Sequence, residues 1–141
     1  MEKGVVLISG TFTKLDSKSR ELYENIISLI DKEKYYIYSP LDTMRYNGSD
    51  VEIYERAMSL LFVTNIMIVE VSNASVDQGM EIQEANRLGI PVLAIAKKGS
   101  NISSLIKGNP CIKNIVYYES IKDINNIITD FINEYQNNRT I

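Results

Sequence analysis

Ile66-Met-Ile-Val-Glu-Val-Ser-Asn-Ala-Ser-Val-Asp-Gln-Gly-Met-Glu81-Ile-Gln-Glu-Ala85 is the stretch on which the reading of this 141-residue chain turns. Ile66 to Val71 is short and almost wholly apolar, the pattern of a strand buried on both faces. Ser72 to Ser75 makes a polar turn, and the residues from Asp77 to Leu88 predict a helix that stops at Gly89, where a C-terminal glycine is usual. Strand, turn and helix in this order are part of a parallel crossover, with the helix starting at the carboxyl end of its strand. Ligands of open parallel sheets sit along that edge. Glu81, about four residues into the helix, is therefore the first candidate for chemistry.

Similar units lie on either side. Val5 to Ser9 predicts a buried first strand ended by Gly10, and a polar loop runs from Gly10 to Ser17. Arg20 to Ile30 then carries Leu22, Ile26, Leu29 and Ile30 at helical spacing, with Asp16 or Ser17 as N-cap. Tyr35 to Ser39 predicts a second strand closed by Pro40. The loop Leu41 to Asp50 contains the turn signal Asn47-Gly48 and is long enough to wall a pocket. Val51 to Val63 predicts a helix with Ile53, Ala57, Leu60 and Leu61 on one face. Beyond the opening stretch, Ile90 to Ala96 predicts a fourth strand with Pro91 at its entry, where no ladder donor is needed. Lys97 to Ser100 turns the chain, and Asn101 to Lys107 predicts a short helical turn. Ile112 to Tyr117 predicts a fifth strand, Ile121 to Tyr135 a closing amphipathic helix, and Gln136 to Ile141 a frayed tail.

Strands alternating with helices predict one α/β domain over residues 1–141, doubly wound in the flavodoxin or Rossmann-like manner. The expected sheet has five parallel strands in the order 2-1-3-4-5. Its switch point lies between strands one and three, which brings Gly10 to Thr13 beside Ser72 to Glu81.

Composition narrows the chemistry. With 15 basic and 18 acidic side chains, and no long block of either sign, a nucleic-acid polymer is a disfavoured partner. No apolar run is long enough to span a bilayer, and the first strand begins almost at Met1, so a cytoplasmic protein without a membrane partner is expected. The chain has no histidine, which removes imidazole as base, nucleophile or ligand. Its single cysteine, Cys111, has no metal-site spacing and reads as a core residue. Neither a metal nor an organic cofactor is expected. No phosphate-loop or dinucleotide glycine spacing occurs, which removes kinase and dehydrogenase readings. Acid, base or nucleophile duty falls mainly on carboxylates. Glu70, inside its strand, could face the pocket or pack beneath it, whereas Glu84 reads as a solvated helix residue.

Val69 to Ala85 resembles the signature of the nucleoside 2-deoxyribosyltransferase superfamily, and within it the 2'-deoxynucleoside 5'-phosphate N-hydrolase branch. Weaker similarity extends to Ile8-Ser-Gly-Thr-Phe12, Ile53-Tyr-Glu-Arg56 and Ile102-Ser-Ser-Leu-Ile-Lys-Gly108, in order along the chain. The resemblance implies that Glu81 is the nucleophile. It would attack the anomeric carbon of the sugar, expel the base and leave a glycosyl ester that water or a second base resolves. It also implies that Thr11, Ser75 and Ser103 hold a nucleotide 5'-phosphate, with Ser103 coming from a second copy in a homodimer whose active site is shared. Gly10 and Gly79 would permit close backbone approach beside Ser72. The substrate implied is a nucleoside 5'-monophosphate or nucleoside. Deoxyribosyl transfer to a second base is disfavoured, because transferases carry an aspartate where this chain has Ser75. Three positions depart from the family pattern: Leu7 replaces a tyrosine, Thr13 an arginine and Ala57 an aspartate. They motivate a second expectation, a nucleotide-binding or sensor domain that does not turn its ligand over. Lys14, Asp16, Asp42, Arg45 and Tyr54 are possible substitutes for the missing groups.

Overall fold

The computed structural model describes residues 2–10, 16–43 and 46–136. Five strands form one parallel sheet: β1 (Gly4–Ser9), β2 (Tyr35–Tyr38), β3 (Ile66–Glu70), β4 (Val92–Lys97) and β5 (Ile112–Tyr118). Their order is β2-β1-β3-β4-β5. This is the expected topology, and it arises because β1, β3 and β4 are apolar on both faces and can lie only in the covered middle of a sheet.

Alternation along the strands assigns side chains to two cores. Val6, Ile8, Ile66, Ile68, Leu93 and Ile95 face α1 (Ser17–Ser28) and the C-terminal helix. Leu7, Met67, Val69, Val71, Val92 and Ala94 face the opposite layer. In chain order the remaining helices are α2 (Pro40–Thr43), α3 (Asp50–Val63), α4 (Val76–Leu88), α5 (Ser104–Lys107) and α6 (Asn125–Gln136). Leu61, Ile82, Ala85 and Ile106 bring α3, α4 and α5 into the second core.

Caps account for most boundary differences from expectation. The Asp16 carboxylate accepts the Ser19 N–H at 2.8 Å, so α1 starts at Ser17 rather than Arg20 and has closed by Leu29. Ser49 and Glu52 form a reciprocal capping box that starts α3. The Leu41 to Asp50 segment is not all loop, since Asp42 accepts the Ser39 N–H at 3.0 Å as the short α2 forms. Strand β4 begins at Val92, not Ile90. Gly89 adopts a left-handed φ of 73°, and the Ile90 N–H returns to the Ala85 carbonyl at 2.9 Å, which holds Ile90 to the end of α4.

Strand β5 runs one residue past the expected end, to Tyr118. The closing helix is split. The Asp123 carboxylate accepts the N–H groups of Glu119 and Ser120, both at 2.9 Å, and Ile121–Ile124 tightens into a 3₁₀ turn before α6. Gln136, expected in the tail, is the last residue of α6. Cys111 is buried, as expected of a core residue. Among the described residues, no helix is long and apolar enough to cross a membrane.

Candidate active site

The carboxyl ends of β1 and β3 carry the centre of the candidate site. Ser9 pairs in register with Val69, so the end of β1 stands beside the end of β3 at the switch point. The chain leaves β3 through Val71 to Ala74, and the Ser75 hydroxyl then accepts the Gln78 N–H at 3.2 Å, capping α4. One turn later, half-buried Glu81 lies over the edge of the sheet. Its Oε2 accepts a hydrogen bond from the Ser9 hydroxyl at 3.2 Å.

Gln78 sets this alignment. It lies on the same helical stripe as Ile82 and Ala85, and at 2% exposure it is a buried amide in an otherwise apolar face. Its Nε2 donates to the Glu70 carbonyl at 2.9 Å and, at the outer limit of hydrogen bonding, to the Ser9 carbonyl at 3.5 Å. The first turn of α4 is thus fastened to the ends of both β1 and β3. Burial holds the Glu81 carboxyl above the usual range; the Ser9 hydrogen bond opposes the shift and the Asp77 charge adds to it. A partly desolvated carboxylate with one oriented oxygen is suited to nucleophilic attack once ionised.

A second group of polar residues lies on the other face of the sheet. Glu70 follows Ile66 and Ile68 toward α1, where its carboxylate accepts the Ser72 N–H at 2.5 Å and the Tyr118 hydroxyl. Ser72 in turn accepts the Lys97 N–H at 2.7 Å. This chain of bonds ties together the ends of β3, β4 and β5. Glu70, Ser72, Lys97, Tyr118, Tyr23 and Ile121 help line a cavity of about 650 Å³ between α1 and the sheet edge. Burial and the Glu70 charge push the Tyr23 phenol up to about 12, and burial with the Glu70 hydrogen bond raises Tyr118 as well. Both phenols therefore remain protonated donors at neutral pH.

The expected site residues divide accordingly. Glu81 and Ser75 share α4 and its cap. Gly79 lies between them, and a Cβ there would meet no atom within 4 Å, leaving the helix surface open to a ligand. Gly10 is needed for a different contact: a Cβ would fall 1.9 Å from the Tyr23 Oη. Ser72 has its hydroxyl committed to the β4 backbone and opens toward the α1 cavity. Ser103 is exposed and caps α5, accepting the Leu105 N–H at 3.3 Å. Thr11 lies outside the described residues, as do Thr13, Lys14 and Arg45.

Leu7 is buried in the apolar core and Ala57 is half-buried on α3. The sequence by itself does not single out Ser9, Gln78 or Tyr118. A polar residue on the buried stripe of α4 was the available signal for Gln78, and alternation from Leu7 was the signal for Ser9.

A doubly wound sheet of this order, which here has a glutamate on the helix after β3 held over the switch point, is an architecture that this chain shares with solved 2-deoxyribosyltransferases and N-glycosidases. A 2-deoxyribosyltransferase from Bacillus psychrosaccharolyticus has the same fold, with a TM-score of 0.64 over 87% of this chain and 91% of its own at 13% identity. A CMP N-glycosidase from Clostridium botulinum aligns with a TM-score of 0.63 over 88% of this chain and 97% of its own at 14% identity.

In sequence, the chain is similar to proteins provisionally named 2'-deoxynucleoside 5'-phosphate N-hydrolases. A Methanococcoides burtonii protein provisionally given that name is 41% identical over 61 residues, which is 43% of this chain and 50% of its relative. The chain spans only part of the curated relatives it matches, 50% of the first and 58% of the second. No protein-family model matches it.

Proposed function

We propose that the chain hydrolyses the base–sugar bond of a nucleoside or deoxynucleoside 5'-monophosphate through a covalent glycosyl ester of Glu81. The observation that carries this reading is the half-buried Glu81 carboxylate at the β1/β3 switch point, with one oxygen held by Ser9. The other oxygen would attack the anomeric carbon as the bond to the base breaks, and the bonding pair leaves with the base. Water then attacks the same carbon, its proton passes to solvent, and the ester's electron pair returns to Glu81.

Ser75 and the N-terminus of α4 would receive the 5'-phosphate, aided by the positive end of the helix. Gly10 and Gly79 complete the proposed pocket, Thr11 is assigned to it by the family resemblance alone, and Ser103 joins it from a second copy, whereas Ser72 faces the α1 cavity on the other side of the sheet. Exposed Phe62, Val76, Met80 and Leu105 on α3, α4 and α5 support such a homodimer, because they belong to the helical layer that carries both Glu81 and Ser103. We place this activity in the cytoplasm, as the sequence reading expects.

The test is chromatographic detection of free base after incubation with each ribo- and deoxyribonucleoside monophosphate. Glu81→Ala should lower release by about three orders of magnitude or more. Release by that variant at the parent rate removes the proposal. A binding or sensor domain is the second reading, favoured by the buried aliphatic Leu7 and by Ala57. It predicts saturable nucleotide binding with no base released. Transfer predicts exchange of one base for another when both are supplied.

A further inference from the structure

The hydroxyl that holds the carboxylate comes from the sheet. Leu7 and Ser9 project from the same face of β1, two residues apart, toward α3 and α4. Leu7 is packed with Met67 and Val69 and offers no polar group. One pleat repeat closer to the ligand edge, Ser9 is 8% exposed and donates to Glu81 Oε2. Pairing with Val69 sets its height along the sheet, and the Gln78 amide fastens the first turn of α4 to the adjacent strand end through the Glu70 carbonyl.

Resting on the reaction proposed above, we propose that Ser9 is the positioning residue for the nucleophile, orienting the Glu81 carboxylate from the end of β1. The hydroxyl occupies one carboxylate oxygen and leaves the other to attack. In the glycosyl ester the held oxygen becomes the ester carbonyl, which still accepts the Ser9 O–H. When water cleaves the ester, negative charge returns to that oxygen and the hydrogen bond strengthens, so Ser9 favours departure of Glu81 in the second half of the cycle. Hydrogen bonding to the ionised form also opposes the effect of burial on Glu81.

Three variants test this: Ser9→Ala, Ser9→Thr and Glu81→Gln. With the monophosphate that the parent hydrolyses fastest, Ser9→Ala should lose roughly ten- to a hundredfold in kcat/KM, the range for a hydrogen bond to a charged group. The acid limb of its pH profile should move to higher pH. Ser9→Thr keeps the hydroxyl and should restore most of the rate and the position of that limb. An Ala variant within twofold of the parent, with an unmoved acid limb, overturns the role of Ser9.

Titration of the Glu81 side-chain carboxyl by carbon NMR, in parent and Ser9→Ala, gives a readout independent of turnover. Its midpoint should rise when the hydroxyl is removed, and an unchanged midpoint overturns the proposal. If the parent and Glu81→Gln both release no base while the midpoint still rises, the hydrolytic reading fails but the Ser9–Glu81 interaction stands.

Discussion

Replacing Gln78 with leucine is the sharpest test of how this site is held together. The side chains are similar in volume, so the change removes an amide donor while leaving no large cavity. At 2.9 Å the bond to the Glu70 carbonyl is of full strength, and such a bond is worth about 1 kcal/mol net in a folded protein. The carbonyl left without this donor adds a desolvation cost of similar order. The 3.5 Å contact with the Ser9 carbonyl is at the limit of hydrogen bonding and adds little. Against these losses, leucine gains apolar burial in a pocket that already adjoins Ile82 and Ala85. The net expectation is a loss of about 1–2 kcal/mol.

For a domain of this length that loss should lower the midpoint of thermal unfolding by roughly 3–7 °C. In urea the midpoint should fall by about 1 M at unchanged slope, because the surface exposed on unfolding is the same. Gln78→Glu is the informative companion, since it puts an acceptor where the donor stood. At neutral pH it should be less stable than the leucine variant, and it should converge on it as acid protonates the new carboxyl. A leucine variant as stable as the parent would refute the reasoning, because the amide would then not be what fastens α4 to the strand ends.

Glu81→Gln should raise the unfolding temperature at neutral pH. Burial lifts the folded carboxyl above its unfolded value, so its stabilising contribution is complete below the unfolded value and lost as pH rises through the folded one. The gain from glutamine should accordingly vanish below about pH 4, and calorimetry that shows a pH-independent gain contradicts the assignment. Gly10→Ala would place a Cβ 1.9 Å from Oη and 2.8 Å from Cζ of Tyr23, which is 2% exposed. It should cost about 1–3 kcal/mol in urea unfolding, and a double-mutant cycle with Tyr23→Phe should show coupling, because removing Oη relieves the shortest contact.

The fold was legible because its evidence is local. Each central strand is a short apolar run, each helix after it shows helical spacing, and the right-handed crossover leaves few ways to arrange them. The placement of Glu81 and Ser75 on α4 and its cap was legible for the same reason, since one strand, turn and helix carry both. Ser9 and Gln78 depend on contacts 72 and 69 residues apart in sequence, which no local window contains. Their signals were polar residues out of place, a glutamine on an apolar stripe and a serine at the end of an apolar strand. Boundaries moved where a side chain competed with the backbone, as at Asp16 and Asp123.

Strand parity also decides what Glu70 can do. It stands in the opening stretch with Glu81, and composition alone would allow the two carboxylates to work as a pair. Glycosidases that use two carboxylates on a retained sugar need them about 5 Å apart. Here alternation sends Glu70 with Ile66 and Ile68 to the α1 side, while Ser9 meets Glu81 on the α4 side. The electrostatics follow the same division: Glu70 raises Tyr23 and Tyr118, whereas the charge that acts on Glu81 is that of Asp77. Glu70 therefore serves to join β5 to β3 through Tyr118, and Ala57, on the helix beside α4, has no proton to give. On the proposed reaction, bond cleavage leans on the leaving ability of the base itself, and the protein's contribution is an oriented, desolvated nucleophile.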